Sequence, residues 1–251
     1  MSIEIFTKEE QAFGQFNGGG ILENKPLGFP QDGGRLKPFS NLFYWAHAWT
    51  PGEKSLIGEH PHQGFEILSF VLKGSIEHYD SKNKDWQTLK AGDVQIIRAG
   101  SGITHAEMVN EQSSFFQIWF DPNLNISMTR EASYSNHEAK EFQEDLMTKG
   151  VVRKKFRSTG APIDMLTPGV EIYELKYESG SYSIPLKKGK VRLMYCIEGE
   201  GVVNDNKINL DDFIIQKNET NTILTSKENS RVFVIDVDET PDYMTYASQW
   251  S

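Results

Sequence analysis

Three of the six histidines in the chain fall in two short motifs whose spacing suits metal ligation. His60-Pro61-His62 runs into Gln63, Gly64, Phe65 and Glu66, and His105 sits in Gly100-Ser101-Gly102-Ile103-Thr104-His105-Ala106-Glu107. In an extended strand, residues two apart point to the same face. His60 and His62 therefore form one two-pronged clamp, and His105 with Glu107 forms another. Three neutral imidazoles and one carboxylate suit a divalent first-row ion: iron, manganese, cobalt, nickel, copper or zinc. Four protein donors on a six-coordinate ion leave two cis positions for substrate, water or dioxygen. One carboxylate on a divalent ion leaves net positive charge, which an enolate or phenolate ligand would neutralise. Pro61 has no N–H to give and fits an edge or a loop entry. Gly100 and Gly102 allow a tight turn just before His105.

The elements that must position these residues read as strands. Phe43–Trp49, Phe65–Leu72, Val94–Ile97, Ser114–Phe120, Glu171–Tyr177, Arg192–Ile197, Phe213–Gln216 and Arg231–Val237 are short, rich in β-branched and aromatic residues, and bounded by Gly, Pro, Asn or Asp. One helix is expected over Asn136–Lys149, with Asn136 as N-cap and Gly150 as the stop. A further turn is expected after Pro241. Many short strands with turn punctuation predict an all-β protein of the sandwich or barrel kind, with few short helices.

A long-range repeat divides the chain. FVLKGSIEHYD followed by LKAGDVQIIRAG in the first half matches YCIEGEGVVND followed by LDDFIIQKNET in the second. Gly74 aligns with Gly199 and Asp93 with Asp212; the intervals are 19 and 13 residues (93 − 74 and 212 − 199). Two similar β domains in tandem follow, with the linker inside the charged stretch 121–160 and the domains taken as 1–133 and 134–251. Fixed offsets from these anchors put Pro185, Lys187, Leu224 and Ser226 where the first half has His60, His62, His105 and Glu107. The second domain is therefore expected to hold no metal at the equivalent place.

HPHQGFE, Gly74, AGDVQ and RAGSGITHAEM together resemble the pirin family of the cupin superfamily, strongly over residues 20–130 and in outline over 160–240. The resemblance implies two tandem cupin (jelly-roll β-barrel) domains, the second degenerate. It implies one metal, Fe(II) in the first instance, held by His60, His62, His105 and Glu107. It implies quercetin 2,3-dioxygenase-like cleavage of a flavonol, with a small aromatic enolisable substrate and dioxygen as partners. The alternative it implies is a non-catalytic, redox-sensing regulatory protein that acts through a protein partner. Ordinary cupins place their fourth ligand four residues after the second histidine, which is Glu66 here. Strand parity gives Glu66 the same face as His60 and His62. The pirin pattern favours Glu107 as ligand and leaves Glu66 to orient a histidine or hold a proton. Either carboxylate could serve as the catalytic base. Gln63 departs from the family, which often carries a basic residue there, and the FYWAHAW strand is unusually aromatic.

Composition bounds the rest. The chain has 251 residues, 38% hydrophobic, with a net charge of −9. An acidic chain repels phosphate backbones, so direct nucleic-acid binding is not expected. A single cysteine, Cys196, fits a reducing compartment. No basic-then-apolar leader or membrane-spanning run is visible, and a cytoplasmic location is expected. His47, His78 and His137 read as surface or core histidines, and Cys196 as an inert core residue. Asp80, Lys82 and Asp85 read as a solvated turn, and the Arg153–Arg157 cluster as an exposed linker face.

Overall fold

The eight apolar, β-branched stretches fold as strands, and they prove to be the four central strands of each of two large sheets. The computed structural model describes residues 2–250. In the first half the strands are β1 (Ser2–Phe6), β2 (Ala12–Phe16), β3 (Ile21–Leu27), β4 (Leu42–Trp49), β5 (Ser55–His62), β6 (Glu66–Lys73), β7 (Ser75–Asp80), β8 (Trp86–Lys90), β9 (Val94–Arg98), β10 (Ile103–Val109), β11 (Ser114–Phe120) and β12 (Ser133–His137). In the second half they are β13 (Glu144–Thr148), β14 (Val151–Arg157), β15 (Glu171–Tyr177), β16 (Gly180–Pro185), β17 (Lys190–Glu198), β18 (Gly201–Val203), β19 (Asn206–Ile208), β20 (Phe213–Lys217), β21 (Asn221–Ser226) and β22 (Ser230–Asp238). The one α-helix among the described residues is the four-residue α1 (Leu124–Ser127). No helix among them is long and apolar enough to cross a membrane.

The chain divides into two compact units. The N-terminal unit comprises Gln11–Glu141, Met165–Pro168 and the residues from Asp242 on. The other comprises residues up to Glu10, Phe142–Asp164 and Gly169–Pro241. Each unit is a seven-stranded sheet and a four-stranded sheet. The N-terminal unit orders its strands β12-β9-β6-β11-β4-β3-β2 and β5-β10-β7-β8. The C-terminal unit orders them β1-β20-β17-β22-β15-β14-β13 and β16-β21-β18-β19. The orders correspond strand for strand, so the repeat read from Gly74/Gly199 and Asp93/Asp212 is a repeat of topology. The all-β architecture of two jelly-roll barrels stands. β1 supplies the edge strand of the C-terminal unit, in the place that β12 fills in the N-terminal one.

Two local expectations are corrected. Asn136–Lys149 is not a helix: it ends β12, passes a 3₁₀ turn at Ala139–Glu141 and forms β13. β13 alternates in burial with period two, and pairing with β14 outweighs the local helix propensity of its Glu, Leu and Met. The Arg153–Arg157 cluster is no linker but part of β14, between β13 and β15 in the sheet, with Phe156 buried and Arg153 paired to Asp145 at 2.6 Å.

Candidate metal centre

β5, β10 and β7 lie side by side in the small sheet of the N-terminal unit. Their registers set the inward-facing residues in rows. His105 pairs with His60 on one side and Asp80 on the other. Glu107 pairs with Ile57 and His78. His62 stands opposite Ile103, one step along the same face. The β5–β10 pairing shifts register between His105 and Glu107, so that two residues of β5, Gly58 and Glu59, stand against the single Ala106 of β10. Such a bulge bends the strand and re-aims the side chains beside it. The backbone reaches His105 through Gly100 and Gly102, both at positive φ (51° and 138°).

His60, His62 and His105 converge. Their ring centroids are 4.8 Å (60–62), 4.4 Å (60–105) and 4.7 Å (62–105) apart. One donor atom from each lies within 4.8 Å of the others. Glu107 is not in that group. It forms a second one with His105 and His78 under the same distance limit. The four residues singled out by spacing are thus gathered inside one barrel but fall into two overlapping sets, joined at His105.

The donor chemistry fits a cation. The His60 Nδ1–H donates to the Gly58 carbonyl at 2.8 Å, which leaves Nε2 with its lone pair. His62 Nε2 and both nitrogens of His105 are buried without a hydrogen-bond partner. Buried polar atoms without partners are rare and call for an explanation. Burial, then the neighbouring histidines, lowers both His62 and His105 to a pKa of about 3, so both are neutral near pH 7. Neutral imidazole is the form that binds a metal.

Glu107, 2% exposed, is held from the large sheet. Gln95 Nε2 donates to its Oε1 at 3.2 Å and Gln117 Nε2 to its Oε2 at 2.8 Å. Gln95 also donates to Ser69 Oγ at 3.0 Å and accepts from the Tyr134 hydroxyl at 3.2 Å. Trp119 Nε1–H donates to Gln117 Oε1 at 3.2 Å, and the same indole stands edge-on to His62 with centroids 4.7 Å apart. A continuous chain therefore runs His62–Trp119–Gln117–Glu107. Sequence reading passed over Ser69, Gln95, Gln117 and Trp119. The available signal was a polar residue interrupting an apolar run: FEILSFVL, DVQII and SFFQIWF each carry one.

Glu66 lies elsewhere. The parity argument assumed a continuous strand from His60 to Glu66. Gly64, at φ 80°, breaks it, and Glu66 opens β6 in the large sheet. Its Oε1 accepts from the Leu166 N–H at 2.7 Å, and its Oε2 from the Thr167 N–H at 2.8 Å and hydroxyl at 2.6 Å. Burial raises its pKa and these donors oppose the rise. Glu66 belongs to neither metal-capable group.

Asp80 is corrected from solvated turn to interior residue. Both Asp80 and His78 are fully buried, 2.9 Å apart, whereas Lys82 and Asp85 are exposed. His47 lies beside Trp49 and Phe116 at ring distances of 5.6 and 5.4 Å. Pro61, His62, Gln63, Ser81, Ser101 and Thr104 border an open recess of about 610 Å³.

The same rows in the C-terminal unit are apolar. Register equates Ser69, Gln95 and Gln117 with Met194, Ile214 and Val234, all in that unit's core. Ile184, Val203 and Leu224 join the same core from its small sheet. Counting back from Gly199 by fixed offset had landed on Pro185 and Lys187. Both are exposed, and it is Ile184 that faces the interior from β16.

Comparison with known proteins bears on this geometry. The profile of the family described as Pirin matches residues 23–120. A protein of Caulobacter vibrioides named pirin-like is 30% identical over 182 residues, 70% of this chain and 75% of that one. A quercetin 2,3-dioxygenase of Escherichia coli is 44% identical over 71 residues, 27% of this chain and 30% of that one. Among solved structures, a bacterial pirin of Escherichia coli in complex with nickel(II) superposes with a TM-score of 0.77 at 18% identity, covering 94% of this chain and 99% of that one.

Proposed function

The chain belongs to the pirin family, and from that premise we propose that its N-terminal barrel is a metal-dependent dioxygenase centre acting on a flavonol-like compound. The observation that carries the proposal is the convergence of three imidazoles, two of them with buried, unpartnered nitrogens, where His62 borders an open recess. His60, His62 and His105 would hold the ion, with Glu107 as the carboxylate on the same strand face as His105. Fe(II) is the first ion to test, and nickel the second, because a related structure holds nickel(II). When bound, such an ion supplies Lewis acidity and open coordination positions for an oxygen-rich substrate and dioxygen.

The chain's own residues do the remaining work. A substrate would enter through the recess bordered by His62, Gln63 and the segment from Ser101 to Thr104. Glu107 takes the proton of the substrate hydroxyl as general base. Each of its oxygens accepts one amide N–H and keeps a lone pair for that proton. Gln95 and Gln117 hold the carboxylate toward the histidines. Trp119 fixes the ring plane of His62 and walls that side with apolar surface. The relatives named quercetin 2,3-dioxygenase support quercetin as the first substrate to try.

The test is to load the protein with Fe(II) or Ni(II), add quercetin under air, and follow oxygen uptake with loss of the flavonol absorbance. Turnover that exceeds free metal and disappears in His105→Ala is expected. Metal binding without turnover under any ion tried would overturn the enzymatic reading and shift weight to a redox-sensing regulatory role.

A further inference from the structure

The histidine that sequence reading set aside, His78, sits where a ligand would. It is fully buried, its ring stacks on Tyr134 at 4.1 Å and 5°, and it belongs to a donor group with His105 and Glu107. Asp80 decides its tautomer. Asp80 Oδ1 accepts the N–H groups of Lys82 and Asn83 at 2.8 and 2.7 Å, and Oδ2 accepts Asn83 Nδ2 at 3.0 Å. A carboxylate ringed by donors is an acceptor, so His78 Nε2, 2.9 Å from Oδ2, carries the hydrogen. The lone pair is left on Nδ1, which is buried without a partner. A ring N–H given to a carboxylate while the other nitrogen faces inward is the arrangement that orients metal-bound histidines.

The two donor groups differ in charge. His60, His62 and His105 offer imidazoles alone, and His62 borders the recess. His78, His105 and Glu107 bring a carboxylate, with Asp80 next to it, and all three are almost completely buried. A divalent ion in that group has one of its two charges offset by Glu107 and the other by the Asp80 carboxylate behind His78, and it is closed from solvent; two imidazoles with one carboxylate suit zinc, cobalt, nickel or iron.

We propose that the barrel contains a second, inner cation position formed by His78, His105 and Glu107, which draws on the same His105 as the outer one; because the neutral His105 ring offers a single lone pair, an ion occupies one position or the other and not both. The proposal rests on the reading of this barrel as a metal site, but not on dioxygenase activity. Asp80 is a positioning residue there: it touches no ion and fixes the His78 ring.

The test removes the outer pair and asks whether an ion still binds. Co(II) is titrated into the whole chain, with bound metal measured by equilibrium dialysis and the visible absorption recorded. The wild type, the double variant His60→Ala/His62→Ala, and that double variant with His78→Phe are compared. Phenylalanine preserves the stacking on Tyr134 and removes both nitrogens, and circular dichroism checks the fold of each protein. The inner position predicts that the double variant still binds one Co(II), with an altered spectrum, and that adding His78→Phe abolishes it. Asp80→Asn in the double-variant background should weaken that binding by about 10–100-fold with the fold intact. A folded double variant that binds nothing while the wild type binds overturns the inner position and leaves the outer site standing. Undiminished binding after His78→Phe also overturns it. A wild type that binds no Co(II) overturns both readings together.

Discussion

Two buried carboxylates on neighbouring sheets, Glu66 and Glu107, have separate roles set by their donors. Glu107 is held by the side-chain amides of Gln95 and Gln117, which keep it facing the histidines. Glu66 is held by the backbone of Leu166 and Thr167 and by the Thr167 hydroxyl, and so ties the 165–168 segment to β6. Glu66→Ala strands two N–H groups and a hydroxyl. It should cost about 2–4 kcal/mol in chemical denaturation while the metal content stays at the wild-type level; loss of metal instead would make Glu66 part of the site. Asp121 gives a pH-dependent counterpart. Burial raises its carboxyl from 3.8 to about 6, against the opposing N–H of Ala247, which donates to Oδ2 at 2.9 Å. With the folded pKa above the unfolded one, the folded state binds more protons between pH 3.8 and about 6, and Asp121's contribution to stability falls as pH rises through that window. Asp121→Asn, which keeps an acceptor for Ala247, should therefore gain melting temperature relative to the wild type more at pH 7.5 than at pH 4. An equal difference at both pH values would contradict the raised carboxyl.

At the level of elements, the site is a product of three adjacent strands and of the turn that feeds one of them. β10 is central: β5 brings His60 to His105 on one side, and β7 brings Asp80 and His78 on the other. The turn before β10 is fixed by Gly100, whose φ is +51° and whose added Cβ would lie 2.6 Å from the Arg130 carbonyl oxygen and 2.8 Å from the Ala132 nitrogen. Those are backbone atoms, so they cannot swing aside as a side chain would. Gly100→Ala should cost about 2–4 kcal/mol and weaken metal binding by displacing the approach to His105. Gly58→Ala is the control. A Cβ there meets nothing within 4 Å, and the φ lies outside the left-handed region, so stability and metal affinity are expected to hold. Calorimetric titration and urea denaturation of the two variants read both quantities.

For the whole molecule, one topology built twice carries two different interiors. The row Gln95–Ser69–Gln117 lines the first barrel with amides and a hydroxyl. The corresponding Ile214–Met194–Val234 packs the second with hydrocarbon. The buried amide of Gln95 and the half-buried one of Gln117 are tolerated in the first because each has a partner there. The termini join the unit remote from them in sequence: β1 extends the sheet that contains β20, and Tyr246 packs on Phe43 and Phe65 at 5.2 and 5.7 Å. Deleting residues up to Phe6 should speed amide exchange in β20, at the opposite end of the sequence, and leave β5 and β10 protected. Deleting from Asp242 on should speed exchange around Asp121, in β4 and at the start of β6 next to Phe65. Hydrogen-exchange mass spectrometry distinguishes these patterns from a uniform loss of protection.

The chain announces by itself what depends on local spacing and on burial of continuous apolar runs. The clamp His60–His62, the pair His105–Glu107, the family, the repeat and the eight central strands are all of this kind, because a strand buried on both faces reads as an apolar run without knowledge of its partners. The extended runs through His60–His62 and His105–Glu107 were legible; β8, β16, β19 and β21 of the small sheets, the edge strands β1, β2 and β13, and the basic strand β14 were not, since their residues become strand-like only once a neighbour pairs with them. Tertiary structure alone decided that Gly64 separates Glu66 from the histidines, and that Asp80 and His78 are interior. It alone sorted the donors into two sets joined at His105. Those outcomes turn on which residues stand opposite one another across strands, and cross-strand register is a relation between distant segments that no local pattern encodes.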